Sequence, residues 1–167
     1  MALITEDGTG LANAESYISV ADSDTYHSNR GNSSWAALTT AVKEESLRKA
    51  TEYMLQVYRL RWMGVRYTTV QALDFPRADV YTDAGKTVID YDEIPVEVTR
   101  ACAELAYRAS TATLYADQTK TVVSESVGAI SVTYDRTSSL AIRYTAIDAM
   151  LAPFMAFAPN QHMVLRR

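Results

Sequence analysis

The sequence predicts a mainly α protein: a small helical bundle of two long and two shorter helices, with one β-hairpin and one long irregular arm. Three observations lead there. Apolar residues recur at helical spacing over 40–58 and again over 95–115. Only one stretch, 121–134, alternates with a period of two. Between the long helical segments, residues 58–94 show no steady hydrophobic period, and long irregular connections in compact domains are usually functional or disordered.

The elements follow in order. Asp7-Gly8 and Gly10 give the N-terminal residues turn chemistry. Ser19 followed by Asp22 resembles a capping box, with Asp in place of Glu or Gln. It starts a short helix over 20–29, which Gly31-Asn32 ends. Trp35 and Leu38 lead into the first long helix. Leu47, Ala50, Met54 and Val57 share one of its faces, and Lys43, Glu44, Arg48, Lys49 and Glu52 fall mostly on the other.

The arm comes next. Its first half carries Arg59, Arg61, Arg66 and Arg77 against Asp74 alone. Its second half carries Asp79, Asp83, Asp90, Asp92 and Glu93 against Lys86. Its aromatics (Tyr58, Trp62, Tyr67, Phe75, Tyr81, Tyr91) argue for order, because disordered segments are poor in them.

Pro95 suits the first turn of the second long helix, where its missing N–H goes unused anyway. Val98, Ala101 or Cys102, Leu105 and Ala109 form its buried stripe, and its alanines let a neighbour approach closely. In 121–134, Gly128-Ala129 separates two alternating runs and fits a type II′ hairpin. That register sets Val127 opposite Ile130, Glu125 opposite Val132 and Val123 opposite Tyr134. The ribbon's edges are free to pair with another chain. A last helix over 145–157 carries Ile147, Met150, Leu151 and Phe154 on one face, and Pro153 should kink it. Residues 1–157 thus form one domain, and 158–167 form an apolar-basic tail read equally as tether or frayed end.

Composition narrows the function. The chain has 167 residues, 48% of them hydrophobic, and a net charge of -4. Such a chain is no general polyanion binder. No apolar run is long enough for a membrane span, and the N-terminus lacks a basic signal region. The single Cys102 fits a reducing cytosol and reads as a small core residue. No HExxH, CxxC, Walker A or GxSxG pattern occurs. Asp90, Asp92 and Glu93 lack the spacing and glycine of an EF-hand, so they read as a solvated or salt-bridging edge rather than a metal site. No enzyme, cofactor or metal is expected.

The arm leaves two readings open. Arginines interleaved with Trp62, Tyr67 and Phe75 would make a stacking and phosphate platform for single-stranded nucleic acid. Alternatively, the aromatics are the arm's own core, and the basic half meets the acidic half, within one subunit or head-to-tail between two.

Motifs along nearly the whole chain are similar to one family. They are Ala12-Asn13-Ala14-Glu15-Ser16-Tyr17, Arg30-Gly31 with Trp35, Arg61-Trp62 with Gly64, Gln71-Ala72-Leu73-Asp74-Phe75-Pro76-Arg77, Ile94-Pro95, Ala103-Glu104-Leu105-Ala106, Ser124-Glu125-Ser126-Val127-Gly128 and Leu151-Ala152-Pro153. The chain resembles a group of tailed-phage proteins labelled DnaT-like single-stranded DNA-binding proteins. Phe75 stands where that pattern has Trp. Despite the label, genome context and fold in that group imply head-to-tail connectors, also called adaptor or head-completion proteins.

The resemblance implies a dodecameric ring under the portal protein, at the neck of a virion assembled in the host cytoplasm. The ring joins the portal to a tail or stopper component, and viral double-stranded DNA passes through the lumen without sequence readout. Three contacts are expected. Arg59, Arg61, Arg66 and Arg77 with Asp79, Asp83, Asp90 and Asp92 form the subunit interface, with the arginines mostly turned from the lumen. Val127, Gly128 and Ile130 form a hairpin contact. Val164, Leu165, Arg166 and Arg167 dock the tail on the portal. Binding of single-stranded DNA by the arm is the alternative function.

Overall fold

In the computed structural model, residues 2–82, 85–114, 124–127, 130–133 and 144–156 are described. The fold is mainly helical, as the periodicities predict. Helices α1 (Val20–Ser28), α2 (Ser33–Ala36), α3 (Thr40–Tyr58), α4 (Val96–Ala109) and α5 (Thr145–Leu151) surround one core, and a 3-10 turn (Ala152–Phe154) follows α5. Three two-stranded antiparallel ribbons complete the described residues: β1 (Val65–Arg66) with β2 (Arg77–Ala78), β3 (Tyr81–Thr82) with β4 (Thr87–Val88), and β5 (Ser124–Val127) with β6 (Ile130–Thr133).

Local chemistry sets the helix ends. The Ser19 hydroxyl accepts the Asp22 N–H, forming the expected N-cap, and donates to the Asp22 carboxylate at 2.6 Å, a hydroxyl contact in place of the backbone N–H bond of a full capping box. Thr39 caps α3 in the same way, accepting the Val42 N–H. Pro95 is the N-cap of α4 rather than a residue of its first turn. That helix stops at Ala109, short of the expected 115. The Ser110 and Thr111 hydroxyls bond back to the carbonyls of Tyr107 and Arg108, which competes with further helical turns. Pro153, having no N–H to give Ala149, ends α5 as an α-helix at Leu151 and leaves a 3-10 turn behind it.

Helices α3 and α4 form the centre. Leu47, Ala50 and Met54 meet Val98, Ala101, Cys102, Leu105 and Ala106, all buried. The small residues of α4 permit the close approach, and Ile147, Leu151 and Phe154 close the end nearest the arm. Val57, expected in the stripe, is half-buried, and Tyr53 and Tyr58 fill that side instead. Lys43, expected on the polar face, is buried. Its ammonium pairs with Asp24 at 2.9 Å and lies over the Trp35 ring, 5.8 Å from its centre.

The β5–β6 register is the expected one, with Val127 opposite Ile130 and Glu125 opposite Val132. Gly128, Asp83, the expected Val123–Tyr134 pair and the tail with Val164, Leu165, Arg166 and Arg167 lie outside the described residues.

Candidate functional site: the arm and its root

The segment after α3 is built from the inside outward. Phe75 and Leu73 enter the core, where Phe75 meets Trp62 edge-on at 5.0 Å and Phe154 at 6.3 Å. Trp62 is also buried, bridged through its backbone to Met155. The Phe75-Pro76 peptide is cis.

Gln71 organises the loop around these rings. Its side-chain oxygen accepts the Thr68 N–H at 2.7 Å, and its amide nitrogen donates to the carbonyls of Leu73 and Pro76. A carboxylate of the same length has no donors for those two buried carbonyls.

Arg77 completes the root. It is 7% exposed and donates from Nε to the Met63 carbonyl, from Nη1 to that of Asp74 and from Nη2 to that of Gly64. Burial disfavours its charge, while Asp74 favours it. Arg77, expected at the subunit interface, is an internal brace within its own subunit. Its planar fork satisfies three carbonyls that an irregular backbone cannot pair with itself.

The other arginines are partly spent. Arg59 Nε donates to Asp74 Oδ1 at 3.1 Å, Arg61 lies 3.8 Å from Asp148 and over the Tyr58 ring, and Arg66 donates to the Gln71 carbonyl. Tyr58 also donates to Asp148, at 2.9 Å. Burial and that neighbouring carboxylate push the Tyr58 hydroxyl's pKa well up. Among the described residues, the partners of Arg59 and Arg61 are thus Asp74 and Asp148, not the acids of the arm's second half. Those acids stand outward: Asp79, with a positive φ of 59°, and Asp90, Asp92 and Glu93 at a turn closed by Glu93 N–H donating to Asp90 O.

Of the three aromatics read as a stacking platform, Trp62 and Phe75 are core residues and Tyr67 alone is exposed. Tyr67 lies on Tyr91, ring centres 4.9 Å apart. Exposed large apolar side chains gather on the arm. Leu60 is 97% exposed, and Val65, Val70, Tyr81 and Val88 are also open to solvent. Tyr81 and Val88 face each other across β3–β4.

Sequence reasoning missed the anchor beneath the arm. The buried Glu6 carboxylate accepts the N–H groups of Gly8, Gly10 and Leu11. The loop it forms lies against the arm: Leu11 O accepts the Ala72 N–H, and Gly8 sits against the Asp92 backbone. The glycines on either side of Thr9 were the available signal.

Among the described residues, no group of three or more His, Cys, Asp or Glu is placed to hold a metal ion. Nor is any helix among them long and apolar enough to cross a membrane.

A helical bundle whose core anchors the Gln71–Arg77 motif of a partly apolar arm defines a small helical scaffold. Comparison with known proteins agrees with the motif reading. The whole chain, residues 1–167, matches the family described as "Putative DnaT-like ssDNA binding protein", and the chain belongs to that family. No curated protein and no solved structure matches it.

Proposed function

We propose that this protein is a structural head-to-tail connector: a virion component that assembles as a ring, binds a portal protein and passes the DNA duplex to the next component. The observation that carries this reading is the arm's apolar surface. Most exposed large apolar side chains of the described residues, Leu60 and Val65 among them, lie on that one segment. Contiguous exposed apolar groups mark contacts with other chains, and Tyr81 and Val88, opposite each other on β3–β4, adjoin in this way. The buried Gln71–Arg77 motif supports them from below, as a rigid mount for an interface should. The acidic balance of -4 suits a conduit that must not hold the phosphates it passes. In this reading Val164, Leu165, Arg166 and Arg167 tether the subunit to the portal, and the 121–134 hairpin touches a neighbour.

The test is assembly. Particles made with a chain lacking 158–167 should contain no subunit at the neck, while the truncated chain stays folded. Normal completion of heads by that chain would refute the tether. Absence of the full chain from purified particles would refute the connector reading.

The family's name favours a second reading, single-stranded DNA binding, and its description does not mention a connector. The exposed Tyr67–Tyr91 pair beside Arg66 supports it, since stacked rings and a guanidinium suit unpaired bases. Fluorescence anisotropy with a short oligonucleotide at two salt concentrations separates the two. Tight, salt-steep binding supports the binder, and no binding at low salt removes it.

A further inference from the structure

A cleft of about 330 Å³ opens at the root of the arm, lined by Arg59, Gly64, Val65, Arg66, Asp74 and Arg77. Three guanidiniums and the Asp74 carboxylate line it; Arg59 alone bonds that carboxylate, and Asp74 Oδ2 is buried without a hydrogen-bond partner. Arg77 is committed to backbone carbonyls. Arg59 turns only Nε toward Asp74, and Arg66 uses only Nη1, on the Gln71 carbonyl, among the described residues. A guanidinium carries several N–H donors in a fixed fork, so both keep donors for a further acceptor.

We propose that this cleft takes a carboxylate from the Asp90–Glu93 turn of a second copy of this chain. The inference rests on the assembly reading above and gives it one specific contact. Charge complementarity selects the occupant. Asp90, Asp92 and Glu93 are exposed, and no ion pair among the described residues involves them. Their turn is presented ready-made: Tyr91 is stacked on Tyr67 of its own chain, and the Asp92 backbone rests against Gly8. The planar fork of arginine matches a carboxylate in two-point contact. A nucleic-acid strand would need a track of such sites, and the acidic chain opposes one. Cleft and turn are different residues, so the contact either closes reciprocally as a two-fold dimer or repeats head-to-tail into a ring or filament.

Sedimentation velocity of the full chain at low salt, up to its highest soluble concentration, tests the contact. Wild type self-associates, and added salt weakens it. Arg66→Glu and Asp92→Arg each weaken association by more than about tenfold, because like charges then face each other. The two changes in one chain restore it. Melting curves check that each variant is folded, and Arg66→Gln serves if Arg66→Glu is not.

A wild type that stays monomeric overturns the contact, as does a doubly changed chain as weak as the single variants. Binding of a fluorescein-labelled oligothymidine that Arg66→Glu abolishes and Asp92→Arg leaves intact assigns the cleft to phosphate and also overturns it. A monomer that still joins purified heads refutes this contact alone. A chain absent from particles refutes the connector reading instead.

Discussion

The Tyr17 hydroxyl accepts the backbone N–H of Asp74 at 3.0 Å in the buried interior. This bond ties the segment before α1 to the motif that braces the arm, two parts of the chain far apart in sequence. Tyr17 is fully enclosed, and burial pushes its hydroxyl's pKa well up, so it stays neutral.

Tyr17→Phe should therefore destabilise the protein without altering its helices. The ring still fills its site, but the Asp74 N–H loses its acceptor. A buried unsatisfied donor costs about 1–3 kcal/mol. Urea denaturation followed by circular dichroism should show a lower midpoint with an unchanged slope.

Two glycines with similar backbones should respond differently to alanine. Gly64 has φ +68°, and a Cβ there would lie 2.1 Å from the Ala78 carbonyl oxygen. Gly31 has φ +69° and nothing within 4 Å. Gly31→Ala should cost about 1 kcal/mol for the left-handed conformation alone. Gly64→Ala should cost clearly more, because the β1–β2 ribbon must open to admit the methyl. Melting temperatures of the two variants decide it, and equal losses would contradict the close approach.

His27 should make stability fall in mild acid. It is buried, with Nε2 donating to the Ala103 carbonyl and Nδ1 accepting from Asn32, a pairing that fixes the tautomer of the neutral ring. Burial lowers its pKa below the ordinary 6.5, although Glu104 and Asp24 oppose part of that shift. The unfolded chain therefore takes up the proton first. Stability from this group is complete above the unfolded pKa and is lost as pH falls from 6.5 toward the folded value. The slope from one such proton is at most about 1.4 kcal/mol per pH unit. Denaturation curves across that range should show the slope in wild type and less of it in His27→Gln.

Leu60→Asp separates stability from assembly. Leu60 is 97% exposed, so its replacement should move stability by no more than about 0.5 kcal/mol. Under the connector reading it places a charge on an apolar contact and should reduce incorporation into particles. Normal incorporation would remove Leu60 from the interface.

The helical part of this fold is legible because each long helix carries its own period and caps. The stripe of α4 and the α3 boundaries at Thr40 and Tyr58 match the periodicity. The hairpin register at Val127 and Ile130 follows from alternation about a glycine. Lys43 departed from its expected face because Asp24 arrives from another segment, and Val57 because Tyr53 and Tyr58 of its own helix are the side chains buried on that side.

The arm was legible only as a segment of split charge. Which of its residues face inward depends on partners that no local spacing reveals. Arg77 meets three carbonyls, Asp74 meets Tyr17 and Arg59, and Arg61 meets Asp148. The sequence by itself determined the helices, the hairpin pairing and the family motif, since these rest on periodicity, capping and residue identity within short stretches. Only the tertiary structure decided that the motif's aromatics and Arg77 are internal, and that Tyr67, Tyr91, Arg66 and the Asp90–Glu93 turn are the groups left outside. Satisfying an irregular backbone takes long-range hydrogen bonds, and their partners are chosen by packing rather than by sequence spacing.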